Sequence, residues 1–254
     1  GVLAASMLFT GCSKKAESKV PDKLIVGTNA EFPPFEYMND KKQPEGFDIA
    51  MIKEIGKRMG KKVEIKNMEF KSLIGAMESD SINAIIAGMT KTEKREKAVD
   101  FSDSYYTTNQ AIILKKDSKI TKLAQLDGKK IGVQEGTTGD LISSGDKFGD
   151  GKKAKVLVKG AKVKRFKKGV DAVMDLKNGS VDAVVIDELT ANEFVKKNAK
   201  KLKIVIDSAG SEYYCIALTK GNTAYKEEVN KQIKAIKEDG TYDKLKAKYI
   251  DSAN

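Results

Sequence analysis

The sequence predicts an α/β protein built as two similar lobes. Three observations lead there. Short apolar strand-like runs alternate with segments of helical spacing over roughly the first hundred residues. The alternation restarts near residue 129. Two stretches, SDSINAII (79–86) and NGSVDAVV (178–185), share a helix end, a turn and a strand of matching pattern, a faint internal repeat.

KLIVGT (23–28) reads as a short apolar strand. Apolar residues at 49, 52, 55 and 59 predict a helix that stops near Gly60. VEIK (63–66) alternates as a strand, FKSLIGAMES (70–79) is helix-like, and INAIIAG (82–88) reads as a buried strand. In the second half KKIGVQ (129–134) is a strand, followed by a Gly/Thr loop and a short helix. KVLVKG (155–160) is expected to be the next strand. GVDAVMDLKNG (169–179) is a helix with a glycine stop, VDAVVID (181–187) a strand, ELTANEFVKKNA (188–199) a helix, and KIVID (203–207) a strand. EYYCIALT (212–219) is an apolar strand-like run in which Cys215 is expected as a buried free thiol. Helical spacing over 227–250 puts Val229, Ile233 and Ile236 on one stripe, with Leu245 and Tyr249 beyond a glycine turn.

A chain of 254 residues, 40% hydrophobic and 33% charged, can bury a proper core. It has no histidine, which excludes Ser-His-Asp and Cys-His catalysis and His-ligated metal sites. Two cysteines without a CxxC pair exclude a Cys-rich zinc site, and no cofactor is expected. The formal charge is +11, but the lysines are scattered among acids, as on a solvated face. Short basic stretches such as AKVKRFKKG (161–169) carry no nucleic-acid signature, and no nucleic-acid partner is expected.

The N-terminal stretch GVLAASMLFTGC is apolar, too short to span a bilayer, and reads as the end of a secretory signal. LFTGC (8–12) resembles a bacterial lipobox, with Phe9 where leucine is usual, so Cys12 is expected to carry a lipid and become the mature N-terminus. The alternative is an ordinary signal peptide with an incidental cysteine. Residues 13–22 read as a tether.

From about Leu24 onward the chain resembles the polar amino-acid binding proteins of bacterial ABC importers, solute-binding protein family 3. GTNAEFPPFEY (27–37), GFDIAMIKEI (46–55), AGMTKTEKR (87–95), VDFSDSYY (99–106), GVQEGTTG (132–139) and VDAVVIDE (181–188) match in order. The resemblance implies a periplasmic-binding-protein type II fold: two Rossmann-like lobes with mixed, mostly parallel sheets, joined by a two-strand hinge. It implies a signal and tether over 1–22, lobe 1 over 23–110, lobe 2 over 111–212, and a return to lobe 1 with C-terminal helices over 213–254. Expected partners are a free amino acid, ABC permease subunits, and the membrane through the lipid; a monomer outside the cytoplasm is expected.

The resemblance also implies a site. Only three of the 47 basic residues are arginines, and Arg95 matches the one that holds the ligand carboxylate. A guanidinium offers that group two parallel donors. Read without the resemblance, Arg95 would sooner pair with Glu93 or Glu96 on a helix surface. Thr90 adds a hydroxyl, Gly88 a carbonyl for the α-amino group, and Met89 lies between them. In lobe 2, Thr137 and Thr138 open a helix whose N–H groups suit an anion, or merely cap it. Asp187 matches the acid that holds the α-ammonium, and Gln134 lines the side-chain end. Phe32 and Phe70 match the aromatics that sandwich the ligand side chain, whereas Phe35 and Phe47 are expected in the core. Asn29 and Glu31 flank Phe32, and a free buried Glu31 carboxylate would favour a cationic ligand, arginine or lysine, whereas a Glu31 that points to solvent would weaken that preference. Glutamine or another polar amino acid is the alternative. A same-fold enzyme such as a cyclohexadienyl dehydratase, with Glu31 as its acid, is the alternative of another class.

Overall fold

The computed structural model describes residues 18–145 and 158–253. Strand β1 (Lys23–Thr28) leads into two short strands, β2 (Glu31–Phe32) and β3 (Glu36–Met38). With β4 (Pro44–Glu45) these make a small antiparallel ribbon. Helix α1 (Phe47–Arg58) follows, then β5 (Lys62–Asn67), a 3-10 turn at Phe70–Ser72, α2 (Leu73–Glu78) and β6 (Ala84–Ile85). A one-turn helix α3 (Glu93–Glu96) precedes the long strand β7 (Val99–Lys115). The second lobe adds β8 (Lys130–Gln134), α4 (Thr138–Ser144), β9 (Lys162–Phe166), α5 (Gly169–Asn178), β10 (Ala183–Asp187) and α6 (Glu188–Lys196). The long strand β11 (Leu202–Thr219) returns the chain, and α7 (Thr223–Glu238) and α8 (Thr241–Tyr249) close it.

One eight-stranded sheet runs through the molecule in the order β5-β1-β6-β11-β7-β10-β8-β9. At each end the strands are parallel: β5, β1 and β6 in one lobe, β10, β8 and β9 in the other. The centre is the antiparallel pair β7 and β11. Their 17 and 18 residues, at about 3.3 Å each, are too long for one lobe and serve both. The ladder breaks between Asp207↔Gln110 and Glu212↔Thr108, where residues 208–211 stand against Asn109 alone. This is the two-lobed, strand-hinged architecture expected from the sequence.

Strand alternation explains how both faces of the sheet are buried. Ala111 and Ile113 face one cluster, Ile112 and Leu114 the other. On β10, Val184 and Ile186 likewise oppose Ala183 and Val185. The helices bury their predicted stripes: Ile52 and Ile55 on α1, Val229, Ile233 and Ile236 on α7. Phe35 and Phe47 are fully buried in the main core, as expected. Cys215 is a free, buried thiol, pushed up to about 11 chiefly by burial.

Four elements differ from expectation. The strand expected at 82–88 is only Ala84–Ile85, because Ile86 onward turns toward the cleft through Gly88 at φ 51°. The strands expected at 203–207 and 212–219 are one. The strand expected at 155–160 lies mostly outside the described residues, and Val158–Gly160 do not form one. The strand beside β8 is instead β9, inside the lysine-rich stretch read as a solvated face. Its edge position explains both its polarity and the missed reading, since edge strands tolerate lysine on the open side. Cys12 and the lipobox also lie outside the described residues.

Candidate functional site

The β7–β11 hinge brings the facing ends of the lobes together, and the groups there are polar but buried. Arg95, on α3, is 8% exposed. Thr92 caps that helix by accepting from the Arg95 N–H, which leaves the guanidinium free to reach inward. One end donates to the Thr90 carbonyl at 2.5 Å, the other crosses to the Gly136 carbonyl of lobe 2 at 3.0 Å. The Phe70 ring lies beneath it, 5.4 Å from the guanidinium carbon. Burial lowers its pKa to about 10, with Glu212 and then Asp187 opposing, so it stays charged at neutral pH. The surface pairing with Glu93 or Glu96 is not formed; Glu96 pairs with Lys91.

Two carboxyl groups face this guanidinium's surroundings. Asp187, the last residue of β10, is 4% exposed. It accepts from the Gln110 amide at 2.7 Å and from the Tyr214 hydroxyl. Glu212, on β11 just past the ladder break, is 5% exposed. It accepts from Thr90 at 2.7 Å, Thr138 at 2.8 Å and Gln110 at 3.0 Å. Thr90 belongs to lobe 1 and Thr138 to lobe 2, so Glu212 ties the lobes together. Burial, and next the Glu212 charge, pushes Asp187 up to about 7 against its hydrogen bonds and Arg95. Glu212 is raised as well, again by burial first. The two titrate as a pair.

The remaining predicted residues take distinct places. Gln134 donates across the cleft to Asn29 at 2.8 Å, and Asn29 donates to the Met68 carbonyl. Gly88 needs its left-handed conformation, and a Cβ there would stand 3.2 Å from the Phe32 ring. Met89 is buried in the hydrophobic cluster with Phe70 and Cys215. Thr137 caps α4, accepting from the Asp140 N–H and donating to the Gln134 carbonyl. Glu31 departs from expectation: it is partly exposed and paired with Lys168 of the other lobe at 3.1 Å. Its carboxylate lies at the rim, where water and a lysine reach it, so it is not the free buried acid that would select a cation. Lys167–Glu69 and Lys71–Glu135 cross the same rim at 2.8 and 3.0 Å. Among the described residues no three His, Cys, Asp or Glu side chains gather as a metal set.

The sequence reading missed Gln110, Glu212 and Tyr214 as site residues. The available signal was a polar residue set at one end of each apolar strand run, NQAIIL and SEYYCIAL, where the chain crosses between lobes.

A family model for the bacterial extracellular solute-binding proteins, family 3, matches residues 24–252. The chain belongs to that family. The arginine-binding extracellular protein ArtP of Bacillus subtilis (strain 168) is 34% identical over 256 residues, covering 98% of this chain and 96% of its own. A solved ancestral arginine-binding protein bound to arginine is 42% identical, with TM-score 0.81, covering 91% of this chain and all of that one. The ancestral arginine-binding protein bound to glutamine matches with the same identity and TM-score, covering 91% of this chain and 99% of that one. These relatives are binding proteins, and this family-3 chain is a solute-binding protein, not an enzyme. The family places it outside the cytoplasm.

Proposed function

We propose that this chain takes a cationic amino acid, arginine or lysine, into the cleft and delivers it to an ABC permease at the membrane. One observation carries the reading: a single buried guanidinium, Arg95, faces two buried carboxyl groups, Asp187 and Glu212. An α-amino acid needs a cation for its carboxylate and an anion for its ammonium. The second acid leaves the closed cleft short of one positive charge, which a ligand of net charge +1 supplies. ArtP and the ancestral protein, both named for arginine, support the same choice.

In this reading the lobe 1 half-site holds the ligand first. Arg95 takes the carboxylate with help from Thr90, Gly88 accepts from the ammonium through its carbonyl, and Phe32 and Phe70 flank the side chain. Closure brings Asp187 and Thr138 onto the ligand, with Thr137 behind the loop and Asn29 and Gln134 at the side-chain end. Because only the closed form touches the ligand from both sides, binding shifts the equilibrium toward it. The lobes are read as 23–110 with 213–254, and 111–212. Cys12 in LFTGC is read as the lipid anchor; mass spectrometry of the membrane-extracted protein tests it, and a Cys12→Ser variant should be released.

A glutamine ligand is the second reading, since the ancestral relative is also seen with glutamine. Residues 23–254 should be melted against each of the twenty amino acids, with hits checked by calorimetry. A rise with arginine or lysine alone supports the cation reading, because a native-state ligand raises the melting point by mass action. A rise with glutamine alone overturns the cation choice and keeps the binding role. No rise with any amino acid overturns both.

A further inference from the structure

Beneath the cleft, lobe 1 buries a second acidic pair that the site described above does not use. Glu36, first residue of β3, and Asp48, in the first turn of α1, are both 0% exposed. They lie within hydrogen-bond reach of each other. Asp48 Oδ2 accepts from the Gly88 N–H at 2.7 Å and from the Tyr105 hydroxyl at 2.8 Å. Asp48 Oδ1 and both Glu36 oxygens meet no N–H or O–H donor among the described residues.

Three buried acceptor atoms lack a donor on two touching carboxyl groups; one proton between them lets Glu36 donate to Asp48 Oδ1, which accounts for two of the three and leaves the second Glu36 oxygen as an uncharged carbonyl. Two ionised carboxylates in that position would repel without screening. The charge belongs on Asp48, where two donors and the positive end of α1 meet it, and the proton on Glu36. Burial, and next the Asp48 charge, drives Glu36 well up, in keeping with this. Asp187, across the cleft, adds to the same push.

We propose that Glu36 and Asp48 share one proton and act as a positioning pair for ligand binding, anchoring the Gly88 backbone beneath the ammonium of the bound amino acid. The proposal rests on the reading that Gly88 accepts from that ammonium. Asp48 pulls the Gly88 N–H into the lobe, and the left-handed φ of Gly88 then turns the following peptide away. The same anchor holds Gly88 against the Phe32 ring. The negative charge it carries sits on the side of the cleft that receives a cation.

The test uses the full mature chain. Infrared difference spectra of wild type and E36Q should reveal a protonated-carboxyl C=O band at neutral pH that E36Q lacks. Arginine affinity should fall less in E36Q, whose amide still donates to Asp48, than in D48N. D48N should weaken it by about tenfold to hundredfold, the worth of a hydrogen bond to a charged group. The Gly88 amide proton resonance should move strongly upfield in D48N. A wild type without the infrared band, or a folded D48N that binds as wild type does, overturns the proposal. If D48N does not fold, the infrared band and the Gly88 resonance in wild type and E36Q still decide it: an ordinary, weakly bonded Gly88 amide sinks the anchor. A wild type that binds no amino acid sinks the ligand reading instead, and leaves the infrared result standing.

Discussion

Asp187 and Glu212 share one donor: the Gln110 amide nitrogen lies 2.7 Å from the first and 3.0 Å from the second. The shared amide and the Tyr214, Thr90 and Thr138 hydroxyls do not offset the burial of two neighbouring acids, and the proton balance of ligand binding follows from that.

Asp187 sits at about 7 in the closed cleft. A ligand ammonium against it favours the ionised form and lowers that value. Binding should therefore expel a proton below neutrality and almost none well above it. Arginine affinity should fall as pH drops through 7, by at most about tenfold per pH unit. Calorimetry in two buffers of different ionisation enthalpy counts the proton; uptake at pH 6 would contradict the assignment.

Replacing Glu212 by glutamine keeps its shape and removes its charge. Arginine binding should weaken by about tenfold or more, while glutamine binding should change less. The ratio of the two affinities, measured by calorimetry on one preparation, is the informative quantity. An unchanged ratio would mean that Glu212 ties the lobes without reading the ligand's charge.

Arg95→Lys should cost more than its conserved charge suggests. An ammonium cannot span the Thr90 and Gly136 carbonyls or present a fork to a carboxylate. A loss of ligand affinity of about tenfold to hundredfold is expected. The melting point without ligand should fall as well, because the buried Thr90 carbonyl loses its donor.

The rim pairs Glu31–Lys168, Glu69–Lys167 and Lys71–Glu135 all cross the cleft. Exposed pairs are individually weak and salt-sensitive, so a single reversal should matter little. The double variant K167E/K168E should populate a more open form, seen as a larger radius in small-angle scattering at low salt. Adding E31K and E69K should restore closure. Failure of that rescue would assign the effect to something other than charge.

Gly139 packs α4 against β10: a methyl group there would stand 2.7 Å from the Val185 carbonyl oxygen. Backbone cannot yield as a side-chain tip does, so Gly139→Ala should destabilise by about 1–3 kcal/mol. Thermal melting should fall, and ligand affinity with it, because Thr138 rides on the displaced turn.

Much of the fold was legible because its period is local. The stripes of α1 and α7 and the alternating β10 are set by residues three, four or two apart, which a reader can count. Arg95, Thr90, Thr138 and Asp187 were legible because each stands in an ordered motif. Glu212, Gln110 and the Glu36–Asp48 pair were not, since their roles come from pairings between 12 and 122 residues apart. Glu31 misled for the same reason: nothing near it in sequence announces Lys168. In β9, lysines on an open sheet edge look the same as lysines on a solvated loop.

The break in the β7–β11 ladder gives the joint a handedness. Across it, β7 spends one residue where β11 spends four, so one edge of the two-strand beam is taut and the other carries surplus length. A beam of that kind does not flex equally both ways. Any swing of the joint should draw on that surplus, so its easier direction would be set by chain length before any cargo arrives. Glu212 is the residue at which the slack edge becomes taut again, so the grip on the cargo and the travel of the joint meet at a single peptide.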